Sequence, residues 1–600
     1  MSTPSPATAP TPRDDEVIHR RDLFRRLPPV LASALVTTSR PQVAAAPTDE
    51  ECIFAHGVAS GDPTAEGVVI WTRVSGAGSD DTVAVGWTVA TDPEMQDIVA
   101  QGEVEAGPET DWTVHVDVDG LRPATTWWYG FEARDQRSDT GRTRTAPGPD
   151  DGQELRLGVV SCASYAAGFF GVYRHLAERD LDLVVHLGDY LYESNAGAST
   201  RQHVPPREPV SLADYRLRHA QYKTDPDLQT LHQRFAFAAV WDDHEVAGNA
   251  WEGGASGHDP ATQGPWAERR AAALQAYLEW MPLRLPDPDR PRRIWRSLPL
   301  GANGELILID TRHDGRDRQI GAYLDDPAAA LADPDRRIMS EDQERWLAEQ
   351  LRGTTGAWRV VANQVVLSPL SLEVPEPLAD LANRLGPVVA GRVLNPDQWD
   401  GYPAARRRLL EVVADEGVGP VVVLTGDIHS SWAFEVPAGG ETGAAPVAVE
   451  LAAPSVTSQT FASIVGPDSE LVARGLVGIV EEQLRHVRWT EIRHHGYIVV
   501  SLTPERMQGD WWHVDAVDET STGERLAASW TASAGEPRLQ RAAAGLAGRA
   551  RPARPIPPGG VDEAPFVDNT LRWPFGALGA GALAVGGAVL ALRRRRQKTD

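Results

Sequence analysis

The pattern of hydrophobic and polar residues changes character near residue 150. Before it, short alternating runs are separated by Gly, Asp and Pro turns; they lie at 67–74, 83–89, 112–116 and 126–131. Alternation of period two without a helical period predicts β-strands. Near-regular spacing of such strands predicts a small β-sandwich over residues 51–146. Few candidate functional residues occur there, so we interpret this domain as a support.

Apolar runs alternate with helical segments after a Pro/Gly/Asp linker at 147–152. Strands are predicted at 155–161, 181–187, 237–241, 305–310, 359–366, 421–424, 447–451 and 496–502, and helices at 171–179, 212–235, 266–280, 341–351 and 404–415. This alternation predicts an α/β domain, placed at 153–520. Residues 530–570 are rich in Ala, Arg, Pro and Gly, which predicts a flexible spacer.

Chemically reactive side chains follow four of the predicted strands. They are Cys162, Asp189 in Gly188-Asp189, the run Asp242-Asp243-His244-Glu245, and the pair Asp427 and His429 in Gly426-Asp427-Ile428-His429. Strand ends of one sheet bring distant residues together, and carboxylate, imidazole and thiolate all bind cations. One such turn is typical of ordinary structure, but four in one domain predict a site for a pair of metal ions.

Composition and charge narrow the class of protein. The 600 residues, 42% of them hydrophobic, predict two or more globular domains, and a monomer is expected. The net charge of −26 argues against a stable nucleic-acid complex, because phosphate backbones need clustered cations. A phosphate substrate stays compatible, since metal ions can dominate the local charge. Cys52 and Cys162 exclude a disulfide scaffold but leave one bridge open.

Both ends of the chain carry candidate targeting segments. Residues 1–46 contain Arg20-Arg21, a weak apolar stretch and Ala44-Ala45-Ala46, in the order of a twin-arginine export signal; a basic tail is the alternative. Residues 573–592 carry no charge, and about 20 apolar residues span a bilayer core of roughly 30 Å; a buried helix is the alternative.

The basic tail at 593–600 is predicted to stay in the cytoplasm by the positive-inside rule. Together the two ends predict export by the twin-arginine machinery. They also predict anchoring to the outer face of the cytoplasmic membrane by the C-terminal helix.

Eight segments carry a family resemblance. They are FAHGVASGDP (54–63), SCA (161–163), HLGDYLYE (186–193), WDDHEV (241–246), NQV (363–365), WDGYP (399–403), LTGDIHS (424–430) and HGY (495–497). In this order they resemble the PhoD-type alkaline phosphatase family, a branch of the binuclear metallophosphoesterases. The resemblance implies a four-layer αββα metallophosphatase sandwich preceded by a small fibronectin-like β-sandwich domain.

The resemblance also implies the metal ligands. Ferric iron (Fe3+) would be held by Cys162, Asp189, Tyr192 and His429, and calcium (Ca2+) by Asp189, Asp243, Asn249 and Asp427. Phenolate and carboxylate suit Fe3+, and oxygen donors suit Ca2+. The chain departs from the family at Ala247-Gly248, just before Asn249. The candidate catalytic residues are Asp189, His244, Asp427 and His429, with Arg312, Asn363 and Gln364 as candidates for the rim.

The expected activity is hydrolysis of phosphate monoesters, phosphate diesters or both by a metal-activated water. Ser430 and Ser431 are not the expected nucleophiles. Two alternatives remain. One is a diesterase or exonuclease acting on extracellular nucleic acid or teichoic-acid-like polymers, which the negative charge mildly disfavours. The other is an anchored adhesion protein with a structural metal, which the strand-end clusters disfavour because a structural site needs no open position.

Overall fold

The computed structural model describes residues 52–549, except 77, 79–80, 195–199, 288, 291–292, 321–325, 374–387, 390–391, 394, 461 and 464–468. The predicted export signal at 1–46, the predicted transmembrane helix at 573–592, the basic tail at 593–600 and residues 550–570 of the spacer lie outside the described residues. Among the described helices, none combines the length and the apolar character that a bilayer crossing requires.

The strands of the described residues are β1 Val58–Gly61, β2 Val68–Arg73, β3 Val83–Ala90, β4 Ile98–Ala106, β5 Thr113–Val118, β6 Thr126–Ala133, β7 Gln136–Arg137, β8 Gly141–Arg144, β9 Leu155–Val160, β10 Leu183–His186, β11 Ala236–Ala239, β12 Ala250–Trp251, β13 Gly254–Ala255, β14 Arg296–Pro299, β15 Gly304–Leu308, β16 Trp358–Asn363, β17 Leu372–Glu373, β18 Val388–Val389, β19 Arg392–Val393, β20 Val421–Thr425, β21 Ser431–Pro437, β22 Pro446–Ala452, β23 Val487–Glu491, β24 Gly496–Leu502, β25 Arg506–Val514, β26 Glu524–Ser533 and β27 Gln540–Arg541. The helices are α1 Gly171–Ala177, α2 Leu212–Lys223, α3 Pro226–Arg234, α4 Pro260–Gln263, α5 Trp266–Trp280, α6 Pro327–Ala332, α7 Glu341–Gly353, α8 Pro403–Val413 and α9 Ser469–Gln483.

Two large sheets lie at the centre of the fold. Sheet one has ten strands in the order β27-β26-β25-β24-β9-β10-β11-β1-β2-β5, and sheet two has seven in the order β14-β15-β16-β20-β22-β21-β23. In β20, Val422 and Leu424 point into the core shared with sheet one, whereas Val421 and Val423 pack with residues of α7 and α8. Burial on both faces explains why β20 is an uninterrupted apolar run.

Helices cover the outer faces of this pair of sheets. Residues of α1, α3 and α5 pack into the core that contains β9, β10 and β11, and residues of α7 and α8 cover sheet two. The layer order is therefore helices, sheet, sheet and helices. The predicted α/β class with four αββα layers is confirmed.

The N-terminal strands pack as two sheets over a shared apolar core. The outer sheet has the order β4-β3-β6-β7, with β8 paired to β6, while β1, β2 and β5 form the edge of sheet one. This continuity arises because β1 pairs in parallel with β11. The buried ion pair between Asp62 and Arg296, at 2.6 Å, joins the same two regions. Sequence periodicity predicts such strands but not their pairing partners. The predicted domain border at 147–152 therefore gave no indication that strands on both sides of it belong to one sheet.

The packed fold extends beyond the predicted boundary at 520. Strand β26 pairs with β25 along its length, and Trp530 and Leu539 are buried. Arg549 donates to Asp180 and Asp182 at 2.7 and 2.9 Å. The prediction of a flexible spacer is therefore wrong for residues 530–549. Amino-acid composition did not predict this because the segment contains few buried or ion-paired side chains among many Ala and Gly residues.

Two smaller differences have local causes. The predicted helix at 212–235 is two helices, because Asp225 caps α3 and Pro226 takes its first position. The bridge left open between Cys52 and Cys162 is absent, since Cys52 is exposed, Cys162 is buried and both thiols are free.

Candidate metal centre

The predicted site residues meet because their strands end at the same place. Strands β9, β10 and β11 are parallel neighbours in sheet one, and Cys162, Asp189 and Asp243 follow them. In sheet two, β20 is parallel to β16 and leads to Asp427. Carboxyl ends of parallel strands share an edge of the sheet, which brings together residues far apart in sequence.

The backbone at these strand ends is strained. Positive φ angles occur at Cys162 (62°), Asp189 (55°), Asn249 (54°), Asp427 (62°) and His429 (51°). Such a conformation is uncommon for residues other than glycine and costs about 1–3 kcal/mol at each position. Five of the seven predicted metal ligands adopt this conformation.

Cys162, Asp189 and His429 form the first group of ligating atoms, which all lie within 4.8 Å of one another. The Tyr192 hydroxyl donates to Asp189 Oδ2 at 2.8 Å and lies 3.2 Å from His429 Nε2. His429 Nδ1 lies 2.9 Å from the carbonyl oxygen of Gln459. That carbonyl favours a proton on Nδ1, which leaves the Nε2 lone pair facing the group. The four predicted iron ligands are thus together.

Asp189, Asp243 and His244 form the second group, and Asp242, Asp243 and Asp427 the third, each with ligating atoms within 4.8 Å. Asp243 Oδ1 is buried and has no hydrogen-bond partner among the described residues. An orphaned carboxylate oxygen beside other carboxylates fits a cation. The backbone N–H of Asn249 donates to Asp243 Oδ2, while ligation by its side chain stays a prediction.

Arg312 lies among these carboxylates and not at the rim, where the sequence placed it. Its side chain is fully buried and forms ion pairs with Asp242, Asp243 (3.6 Å), Asp397 (2.8 Å) and Asp427 (2.9 Å). The sequence patterns did not identify Asp397 or Gln398 as site residues. The side-chain amide of Gln398 also donates to Asp427. Arg312 lies shortly after the end of β15, just as the other site residues lie shortly after the ends of their strands. This position in the sequence could have identified it as a residue of the site.

Asn363 and Gln364, the other rim candidates, are buried and have structural contacts. Gln364 accepts from Thr311 at 3.0 Å and donates to the carbonyl of Ile309 at 2.6 Å. Asn363 donates to the carbonyl of Val365. These side-chain amides stabilise the loops after β15 and β16, and this structural role explains why Asn363 and Gln364 occur there.

Burial governs the ionisation of the site. It raises the pKa of Asp189 well above its usual range, with His244 opposing the shift and Asp243 adding to it. Burial also raises the pKa of Asp427 to about 6, although Arg312 opposes the shift. The pKa values of the Cys162 thiol and the Tyr192 phenol rise for the same main reason. Additional positive charge in the site would favour ionisation of Asp189, Cys162 and Tyr192.

His244 is held firmly beside the cluster. Its Nδ1 lies 2.6 Å from Glu193 Oε2, and its ring stacks on Tyr192 with centroids 4.1 Å apart. Burial would lower the pKa of His244, but Glu193, Asp243 and Asp189 raise it well above its usual value. The side chain is therefore an imidazolium whose second N–H is directed away from Glu193.

Comparisons with known proteins agree with this site. The PhoD-like phosphatase family model matches residues 157–511, and the model of its N-terminal domain matches residues 39–147. The chain is 31% identical over 510 residues to alkaline phosphatase D of Bacillus subtilis (strain 168), with 82% of each chain covered. A solved structure of PhoD matches with a TM-score of 0.73 and 31% identity, over 84% of this chain and 94% of that one.

The four-layer fold and its cluster of ligating side chains define a metallophosphoesterase. The chain belongs to the PhoD-like phosphatase family and is a phosphoric ester hydrolase. The resemblance and the enzyme class predicted from the sequence are confirmed. Membership of an enzyme family argues against an adhesion protein with a merely structural metal. The family and the fold imply metal cofactors.

Gly188 tests how closely the strand ends must approach. A Cβ at this residue, whose φ is 102°, would lie 2.5 Å from Asp242 Cβ and 2.7 Å from the Asp242 nitrogen. Gly188→Ala should separate the ends of β10 and β11. We expect loss of aryl phosphate hydrolysis and a free energy of unfolding, from urea denaturation, lower by about 2 kcal/mol than in the control.

The control is Gly120→Ala. Gly120 has a similar positive φ of 77°, but a Cβ there would meet nothing within 4 Å. It therefore isolates the backbone strain from the clash. Equal activity and equal stability of the two variants would contradict the close approach at Gly188.

Proposed function

We propose that this chain hydrolyses phosphate monoesters and diesters at a centre of two metal ions. The observation that carries the proposal is the convergence of Cys162, Asp189, Tyr192, Asp427 and His429 at strand ends, where Asp242, Asp243 and Asp427 share the buried guanidinium of Arg312. A site of this composition is a poor protein core and a suitable cation site.

We propose Cys162, Asp189, Tyr192 and His429 as ligands of ferric iron. Asp189, Asp243, Asn249 and Asp427 are the proposed ligands of calcium. Asp189 belongs both to the group with the Cys162 thiol and the His429 imidazole and to a group with the Asp243 carboxylate, which supports two sites of different donor chemistry. When bound, the ions would supply the positive charge that polarises a phosphoryl group and lowers the pKa of a water molecule.

His244 is the proposed proton donor. Glu193 fixes Nδ1, so Nε2 carries the N–H that is free to contact a phosphoryl or leaving-group oxygen. Glu193 itself is held by the backbone N–H of Gly248 at 2.9 Å. The raised pKa of His244 keeps this proton in place at neutral pH. A charged donor beside a developing negative charge stabilises the transition state.

The hydroxyl groups next to His429 are engaged in structural contacts. Ser430 Oγ donates to the carbonyl of Ile428 at 2.9 Å and accepts from Trp432 Nε1 at 2.7 Å. Ser431 is buried, and its Oγ lies 2.9 Å from His513 Nε2. These contacts support hydrolysis without a phosphorylated serine.

Asp189→Ala and Asp427→Ala test the proposed centre. Each should reduce kcat/KM for an aryl phosphate and for a bis-aryl phosphate by more than about 100-fold, because changes to the partners of metal ligands alone cost about 10–100-fold. The metal content of each variant should fall as well. Ser430→Ala is the matched control and should retain most of the activity. Unchanged turnover in either Asp variant, or loss confined to Ser430→Ala, would refute the proposal.

We further propose that the chain is exported and anchored outside the cell membrane. The support is the order of Arg20-Arg21, an apolar stretch and a small-residue run, together with the uncharged segment 573–592 before a basic tail. The twin-arginine route carries folded proteins, so a metal centre could be filled before export.

Substitution of the arginine pair tests the export proposal. Arg20→Lys with Arg21→Lys should leave the protein inside the cell, because the route requires this pair. Arg25→Lys with Arg26→Lys, a neighbouring pair, is the control and should be exported normally. Deletion of 573–600 should release the exported chain from the membrane fraction. Surface accumulation of the Arg20/Arg21 variant would count against twin-arginine export.

A further inference from the structure

A separate cluster of metal-ligating side chains lies where β23, the edge strand of sheet two, meets sheet one. Glu491 ends β23 of sheet two, His494 lies in the turn before β24, and His513 lies in β25 of sheet one. Their ligating atoms all lie within 4.8 Å of one another. The two imidazole rings are stacked, with centroids 5.3 Å apart and planes 13° from parallel. None of these residues belongs to the catalytic centre.

Two ring nitrogens of this cluster face the same carboxylate oxygen, and one of them makes no hydrogen bond within the described chain. Glu491 Oε2 lies 3.0 Å from His494 Nδ1 and 3.9 Å from His513 Nδ1. His494 Nδ1 is buried and has no partner of hydrogen-bond geometry among the described residues. A carboxylate oxygen and two ring nitrogens at these distances converge closely enough for one small cation to contact all three.

Neighbouring groups orient the three side chains. His513 is 1% exposed, and its Nε2 lies 2.9 Å from Ser431 Oγ, which directs Nδ1 towards Glu491. Arg493 Nε donates to Glu491 Oε1 at 3.0 Å, so Oε2 faces the histidines, where it also accepts from the backbone N–H groups of Arg493 and His494. Proteins orient metal ligands by such outer contacts.

The charge states suit a metal ion. Burial lowers the pKa of His513 to about 4, which keeps the imidazole neutral at pH 7. Burial opposes ionisation of Glu491, but His494 and His513 outweigh it and lower its pKa to about 2. Ionised carboxylate and neutral imidazole are the forms that bind metals.

A hydrolytic arrangement of Ser431, His513 and Glu491 is excluded, since Ser431 is 0% exposed and no substrate can reach it.

We propose that Glu491, His494 and His513 bind one divalent transition-metal ion of the zinc class. Two imidazoles and a carboxylate are a zinc donor set, whereas Ca2+ prefers oxygen donors alone. The His494 side chain is 26% exposed, so a water molecule can complete the tetrahedron. The ion joins β23 to β25 beside Ser431, which pairs with Glu491 in the sheet. It therefore fastens the two sheets behind the loop that carries His429.

His494→Gln tests this site with Zn2+ as the probe. The full-length protein, purified with its catalytic metals, is dialysed against Zn2+ and its bound zinc is counted by elemental analysis. Wild type should hold one more zinc per chain than the variant, and Zn2+ should raise the unfolding temperature of wild type but not of the variant. His494 is partly exposed, so the change should be tolerated. His175→Gln is the matched control, because His175 Nδ1 also faces a carboxylate, Glu524 at 3.6 Å, but belongs to no ligand cluster of the described chain.

Equal zinc content of wild type and His494→Gln, with equal unfolding temperatures, would overturn the proposal. A second measurement does not depend on any variant. Anomalous diffraction at the zinc edge from wild-type crystals should show a peak between Glu491 and the two histidines. The absence of that peak in zinc-loaded crystals would overturn the proposal irrespective of phosphatase activity, which neither measurement uses.

Discussion

Too little positive charge surrounds the carboxylates at the strand ends, and this imbalance governs the centre of the molecule. Arg312 forms ion pairs with Asp242, Asp243, Asp397 and Asp427, and of these four carboxylates Asp397 also pairs with a second buried guanidinium, that of Arg316 at 2.8 Å. Two like charges about 4 Å apart repel by about 4 kcal/mol even at an effective dielectric constant of 20. Two guanidinium groups cannot offset four carboxylates, so a net negative charge remains that favours the binding of protons or cations.

The fold makes this crowding possible. Strands such as β20 are buried on both faces, so their positions are determined by packing and do not depend on the polar groups at their ends. The left-handed backbone at Cys162, Asp189 and Asp427 then directs the ligating atoms inwards. Packing elsewhere stabilises an arrangement that would be unfavourable alone, which is the usual origin of strain at functional sites.

Much of the fold and of the metal centre could be predicted from the sequence. The apolar run Val421–Leu424 and the segment Gly426-Asp427-Ile428-His429 predicted a buried strand and a metal-binding turn. The strand is present as Val421–Thr425, and Asp427 and His429 lie among the clustered ligating side chains. Such local patterns are visible because burial and turn chemistry act on neighbours. The role of Arg312 was not visible, since its position depends on carboxylates from three other segments. The shared sheet formed by β1 and β11 was equally hidden, because strand pairing leaves no periodic trace.

The metal content and visible spectrum of the purified chain test the central claim most directly. If Cys162, Asp189, Tyr192 and His429 hold ferric iron, the active protein contains bound iron and is coloured. Tyr192→Phe should then shift or remove the visible absorption. An active chain that contains no bound metal would contradict the account of the charge imbalance. A colourless, active protein containing only zinc would contradict the assignment of iron.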